Sequence, residues 1–245
     1  MTDIQDQLNA QLQSKSLPVS SAWLSTFLST GTQQRTPLPA LTKTALFRLL
    51  NTDFRESLTP HSPTSILPVD IFDPTVQERR LTGPIPLQVL DIEDIGTSIW
   101  NQVEAIERIE RGEAVRGREI VRTVNVGDEQ DGNTRANNAA GNANAGAPTN
   151  ANESNGPLRL ILQDAKGTRA VGIEMTHING VAIEKLPIGS KLLLKNATVA
   201  RGMILLTPES VTILGGKIEA MDSAWKAGRK ARLLEKITAT GGGGA

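Results

Sequence analysis

The segment Leu158-Arg-Leu-Ile-Leu-Gln-Asp-Ala-Lys-Gly-Thr-Arg-Ala-Val-Gly-Ile-Glu-Met175 decides the fold. Leu158, Leu160 and Leu162 recur at every second position, and Val171, Ile173 and Met175 alternate with Ala170, Gly172 and Glu174. A period of two belongs to a strand with one buried face, and Asp164-Ala-Lys-Gly167 has the composition of a hairpin turn. Downstream, Lys191-Leu-Leu-Leu-Lys195, Thr198-Val199, Met203-Ile-Leu-Leu206 and Val211-Thr-Ile-Leu214 repeat the pattern. Turn residues separate them at Pro187-Ile-Gly-Ser190, Arg201-Gly202 and Gly215-Gly216. Short strands at this spacing predict a small five-stranded barrel rather than a sandwich of about seven or more strands.

Upstream, Leu87-Gln-Val-Leu-Asp-Ile92 is the first barrel strand. Thr97 or Ser98 then caps a helix with Val103, Ile106 and Ile109 on one face, ending near Gly112, and Gly117 to Val124 returns to strand. From Asn125 to Pro157 run 33 residues, of which 21 are Asn, Ala or Gly, with Val126 the only large apolar side chain. Such a segment cannot bury enough surface to offset the entropy of ordering it. A loop of this length inside a domain is a lid, a binding loop or a linker.

The remainder divides by composition. Residues 1–58 carry helical stripes: Ile4, Leu8 and Leu12, then Trp23, Leu24, Phe27 and Leu28 behind Ser20 or Ser21, then Leu41, Ala45, Leu46, Leu49 and Leu50. They predict a small three-helix bundle whose core takes Trp23, Phe27, Phe47 and Phe54. Residues 59–84 form an extended, proline-rich connector, and the barrel occupies 85–216 with an insertion at 96–157, mobile over 125–157. A helix over 217–237 and a Gly-rich tail at 238–245 follow, giving an α+β chain.

Function classes narrow quickly. The chain has no cysteine and balances 26 Lys and Arg against 26 Asp and Glu. With no signal peptide or membrane-spanning run visible, a soluble intracellular protein is expected, and no membrane partner. His61 and His177 stand far apart, and no phosphate loop, dinucleotide fingerprint or nucleophile elbow occurs. Gly215-Gly-Lys217 reads as a strand-to-helix turn, and alternation sends Asp91, Glu93 and Asp94 to different faces. An enzyme is the weakest class; no cofactor, metal or catalytic residue is assigned. A five-stranded barrel suggests single-strand binding, but that mode stacks bases on aromatic rings in a basic groove. From Leu158 to Ile218 there is no Phe, Trp or Tyr, and eight basic residues face four acidic ones. Docking on protein fits better. The basic run of the last helix, Lys226, Arg229, Lys230, Arg232 and Lys236, has the charge to bind phosphates, but a solvated face complementing the helix dipole is the more common use of such a run.

Several segments in order resemble the amino-terminal region of the RecQ-mediated genome instability protein family, first subunit, fungal type. They are Leu49-Leu-Asn-Thr-Asp-Phe-Arg55, Gly83-Pro-Ile-Pro-Leu-Gln-Val-Leu-Asp-Ile-Glu-Asp-Ile95, Leu160-Ile-Leu-Gln-Asp-Ala-Lys-Gly167, Gly189-Ser-Lys-Leu-Leu-Leu194 and Leu206-Thr-Pro-Glu-Ser-Val-Thr-Ile-Leu-Gly-Gly216. The resemblance implies a helical domain followed by an oligonucleotide-binding-type barrel. It further implies a non-catalytic, nuclear cofactor of topoisomerase III and a RecQ-type helicase, which together decatenate DNA and dissolve double Holliday junctions. The family's insertion between the first two barrel strands reaches into the topoisomerase gate. Here that insertion is the stretch between Ile95 and Pro157, and Arg118, Ile120, Arg122, Val124, Asn125 and Pro157 are the candidate gate residues. Matching Lys191 to the family's Gly-x-Lys-hydrophobic segment makes Lys191, with Lys195 and Arg201, the candidate topoisomerase-binding set. Two departures stand: the usual helix between the third and fourth barrel strands has no counterpart between His177 and Gly189, and a second small barrel subunit is not implied. The alternatives are a single-stranded-DNA-binding module, with DNA otherwise contacted weakly or indirectly, and a general repair scaffold.

Overall fold

A computed structural model describes residues 2–29, 37–60, 62–113 and 156–241. The amino-terminal stripes form helices α1 (Thr2–Gln13), α2 (Ser21–Ser29) and α3 (Leu38–Leu50). A fourth, single-turn helix, α4 (Phe54–Ser57), follows because the Asp53 carboxylate accepts from the Arg55 amide and starts it. Leu8, Leu12, Leu24, Phe27, Leu41, Ala45, Leu49 and Phe54 share one core, with Trp23 stacked on Phe27 at 5.4 Å. Phe47 does not join it. It is 71% exposed, because α3 turns Leu41, Ala45 and Leu49 inward and that face excludes position 47.

The proline-rich stretch is more than a connector. Leu67 and Ile71 are buried in the barrel core. The proline-free run after Pro74 supplies a strand, β1 (Glu78–Leu81). The other strands are β2 (Ile85–Asp94), β3 (Leu158–Asp164), β4 (Arg169–Glu174), β5 (Lys191–Leu194), β6 (Ala197–Ala200), β7 (Met203–Leu206) and β8 (Val211–Gly215). Between β2 and β3 lies α5 (Ile99–Glu110), capped by Ser98, and α6 (Glu219–Gly241) closes the described chain. Gly117 to Val124, expected as strand, falls outside the described residues.

One curled sheet runs β1-β6-β7-β4-β3-β2-β5-β8. β5 and β6 are two halves of a single path, bent at Lys195–Asn196, where Asn196 has φ +49°. The first half pairs with β2 and the second with β7. The ring therefore returns on itself through β2, β3, β4 and β7, which is the five-strand barrel expected, while β1 and β8 add short edge strands. Leu87, Val89, Leu160, Leu162, Leu192, Ile204 and Leu206 point inward. Residues 175–190 form no helix; Ile178, Val181, Leu186 and Ile188 are buried against the same core.

Candidate protein-docking site

The outer surface of the barrel is where a partner must land, and register says what stands there. Gln88 of β2 lies opposite Gln163 of β3 and opposite Lys191 of β5, so the three polar side chains share one outward rung. The helical bundle covers that rung. Phe54 sits over Lys191 with 4.9 Å from its ring centre to Nζ, and the Phe54 amide donates to Gln88 Oε1 at 3.1 Å. Lys191 Nζ donates to the Gly189 carbonyl at 2.6 Å and to Gln88 Oε1 at 3.3 Å. Gln88 Nε2 donates to Asp53 and to Gln163 Oε1, and Gln163 Nε2 to the Gly167 carbonyl. Burial pushes the Lys191 ammonium down to about 8, against a smaller opposing pull from Asp53. Burial also works against the Asp53 charge, but hydrogen bonds from Arg55 and Gln88 outweigh it and hold that carboxyl below its usual range.

Lys191 therefore has no surface to offer a partner: it is 0% exposed. Its match to the family's Gly-x-Lys-hydrophobic segment singles it out, and it does stand on the outside of the barrel, but the bundle occupies that side, so the docking assignment is corrected to a clasp between bundle and barrel. Lys195 and Arg201 are exposed, at opposite ends of β6 and not together. Lys195 sits at the bend into β6, and Arg201, in the β6–β7 turn at φ +49°, donates to the Pro74 carbonyl. The clasp partners Gln88 and Gln163 went unread, although two glutamines in otherwise apolar facing strands were the available signal.

The insertion is pinched at its root. β2 and β3 stay paired to Asp94 opposite Leu158, and the Ile95 amide donates beyond them to the Pro157 carbonyl at 3.1 Å. Gly96 and Gly156 touch: a Cβ on Gly96 would meet the Gly156 Cα at 2.4 Å. Asp94 Oδ1 accepts from the amides of Gly96 and Thr97, and Gln102 Nε2 donates to the carbonyls of Asp94 and Thr97. Pro157 lies exposed at this root. Arg118, Ile120, Arg122, Val124 and Asn125 fall outside the described residues, as does the expected mobile stretch up to Asn155.

The remaining candidates have structural uses. Asp91 accepts from Trp225 Nε1 at 2.5 Å, Glu93 accepts from Arg159 at 2.9 Å and from Lys236, and Asp94 caps the insertion root. Gly215 and Gly216 have φ +86° and +84° and turn the chain into α6. The basic residues of α6 are engaged rather than simply solvated. Lys226 pairs with Asp222, Lys230 bridges to Glu107 and Glu110 of α5, and Arg229 and Arg232 lie over the Trp225 ring. Among the described residues no cluster of three or more His, Asp or Glu could hold a metal, and no helix is long and apolar enough to cross a membrane.

Comparison with known proteins agrees with this architecture. Residues 12–57 match the family model described as RMI1, N-terminal helical domain, and residues 67–229 match RMI1, N-terminal OB-fold domain. The chain is similar to RecQ-mediated genome instability protein 1 of Schizosaccharomyces pombe (strain 972 / ATCC 24843), with 29% identity over 237 residues and 94% of each chain covered.

Proposed function

The chain belongs to the RMI1 family, and from that premise we propose that it is a non-catalytic nuclear subunit of an assembly of topoisomerase III with a RecQ-type helicase. Family membership itself carries a role in genome stability in connection with RecQ. The finer reading is that the barrel docks on the topoisomerase while the insertion enters its DNA gate, stimulating decatenation and the dissolution of double Holliday junctions. One observation supports it above others: the insertion leaves at Gly96 and returns at Gly156, two residues in contact, so it is an excursion from a closed barrel edge and not a tether between bodies. Such an excursion can be presented to a partner without disturbing the barrel that carries it. A gate that opens and closes responds to an inserted segment only if the segment binds its states unequally. Arg118, Ile120, Arg122, Val124 and Asn125 are the residues proposed to make that difference.

Removing residues 125–155, which leaves Gly156 and Pro157 to close the root, tests the reading. Complex formation with topoisomerase III should persist while decatenation changes. Unaltered decatenation and relaxation would refute the gate role. A single-strand-binding barrel gains little support by comparison, since no Phe, Trp or Tyr lies between 158 and 218 and the α6 cations are occupied.

A further inference from the structure

Between the clasp and the insertion root, the outside of the barrel is apolar, whereas a solvated strand face carries polar side chains. Register defines the patch. Ile161 of β3 lies opposite Val171 of β4, Val171 lies beside Met203 of β7, and Met203 lies opposite Ala200 of β6. One rung nearer the root, Arg159, Ile173, Leu205 and Thr198 line up in the same way. All of these point away from the core, because the residues alternating with them (Leu160, Leu162, Ala170, Gly172, Ile204, Leu206) are buried. Ile161, Val171, Ile173 and Leu205 are partly exposed, Met203 is 42% exposed, and Met175, just past β4, is 57% exposed. Phe72, 52% exposed, extends the patch, since its backbone abuts Gly202.

The rim is basic. Arg169 begins β4 beside the clasp, Arg80 of β1 lies opposite Thr198, and Arg201 stands in the β6–β7 turn. All three are exposed and form no ion pair among the described residues; the acidic neighbours are Glu78, opposite Ala200, and, flanking Phe72, Asp73 and Asp70, the latter paired with Arg79. Apolar ground with unpaired arginines around it complements a surface with apolar centre and carboxylate edge. Arginine is suited to such an edge because its planar fork grips carboxylates bidentately.

We propose that the outer face of β3, β4 and β7, centred on Ile173, Leu205 and Met203, is the docking site for a protein segment with apolar side chains flanked by Asp or Glu. This occupant rests on the reading above, in which the barrel docks on topoisomerase III. The site lies beside the insertion root, where Arg159 follows Pro157 by two residues.

The test titrates the full chain with purified topoisomerase III and compares Ile173→Glu, Met203→Glu and Arg169→Glu, with each variant's melting temperature recorded. Binding at least tenfold weaker for Met203→Glu and severalfold weaker for Arg169→Glu, at unchanged melting temperature, is the expected result. Both positions are exposed, so they decide the matter even if Ile173→Glu lowers stability. Wild-type affinity in Met203→Glu and Arg169→Glu would overturn the site while leaving the topoisomerase reading intact. Failure of the wild-type chain itself to bind would overturn both.

Discussion

The ammonium of Lys191 lies 4.9 Å from the centre of the Phe54 ring, so a charge from the barrel is sealed beneath an aromatic side chain of the helical bundle. Around that charge stand the Gly189 carbonyl, Gln88 Oε1 and, one step further, Asp53. The arrangement makes bundle and barrel one structural unit. It also changes what a substitution there means, because an effect on partner binding would be transmitted through folding and not through contact.

Lys191→Glu should destabilise the chain by about 3–5 kcal/mol, since it sets a second carboxylate near Asp53 and leaves the Gly189 carbonyl without its donor. Lys191→Met keeps the length of the stem and removes the buried charge, and should cost no more than about 2 kcal/mol. Urea denaturation of both variants checks this. Equal stability of Lys191→Glu and the parent would show that the clasp is not closed in solution.

The same lysine predicts an alkaline gain in stability. Its folded value of about 8 lies below the value near 10.4 of an unfolded lysine, so between those limits the unfolded state binds more protons. Stability therefore rises with pH from about 8 to about 10, by at most about 3 kcal/mol, and the cost of burying the charge is fully present below 8. The chain has no tyrosine or cysteine to obscure the window. Lys217 and Lys230, whose carboxylate partners raise them, act in the opposite direction and only at higher pH. Melting temperatures across this range should climb for the parent and stay flat for Lys191→Met; parallel curves would refute the assignment.

Local periodicity made the barrel legible, because Leu158 to Met175 alternates cleanly and its turn is written in Asp164 to Gly167. What periodicity cannot report is which outward residues a second domain will cover, and the bundle covers Lys191 and Gln88 through Phe54. Alternation in β4 does not say which half is buried: Ala170, Gly172 and Glu174 face inward, and the larger Val171 and Ile173 face out. In Gly172 the reason is visible, since a Cβ there would meet Leu206 Cδ1 at 2.8 Å; the small residue is the one facing the crowded interior. β1 was missed because six prolines around it outweighed four residues of weak strand pattern.

A paired substitution tests the turn into α6. Gly216 has φ +84° and its backbone faces the bundle, where an added Cβ would meet the Leu50 carbonyl oxygen at 2.2 Å; the neighbouring Lys217 amide donates to Asn51. Gly215 has φ +86° but open space around it. Gly215→Ala should cost about 1 kcal/mol from backbone strain alone, and Gly216→Ala at least about 2 kcal/mol because it must also push the bundle away. Chemical denaturation separates them. Equal losses would mean that the bundle does not rest on this turn.

Intrinsic DNA binding should be weak. Single-strand recognition requires stacking rings and an unpaired basic track, and the barrel segment 158–218 offers no Phe, Trp or Tyr. The basic run of α6, the one sequence feature that argued for a phosphate track, is spent on the protein: Lys226 on Asp222, Lys230 on Glu107 and Glu110, Lys236 on Glu93. The arginines without carboxylate partners border an apolar surface, which repays burial against protein rather than contact with a hydrated phosphate chain. Titration of the isolated chain with a single-stranded oligonucleotide at 0.15 M salt should give a Kd no tighter than about 10⁻⁵ M and a shallow salt slope. Lys230→Ala should leave that Kd unchanged and barely move the melting temperature, as expected for an exposed ion pair. Submicromolar binding with a steep salt dependence would instead return the barrel to the class of strand readers.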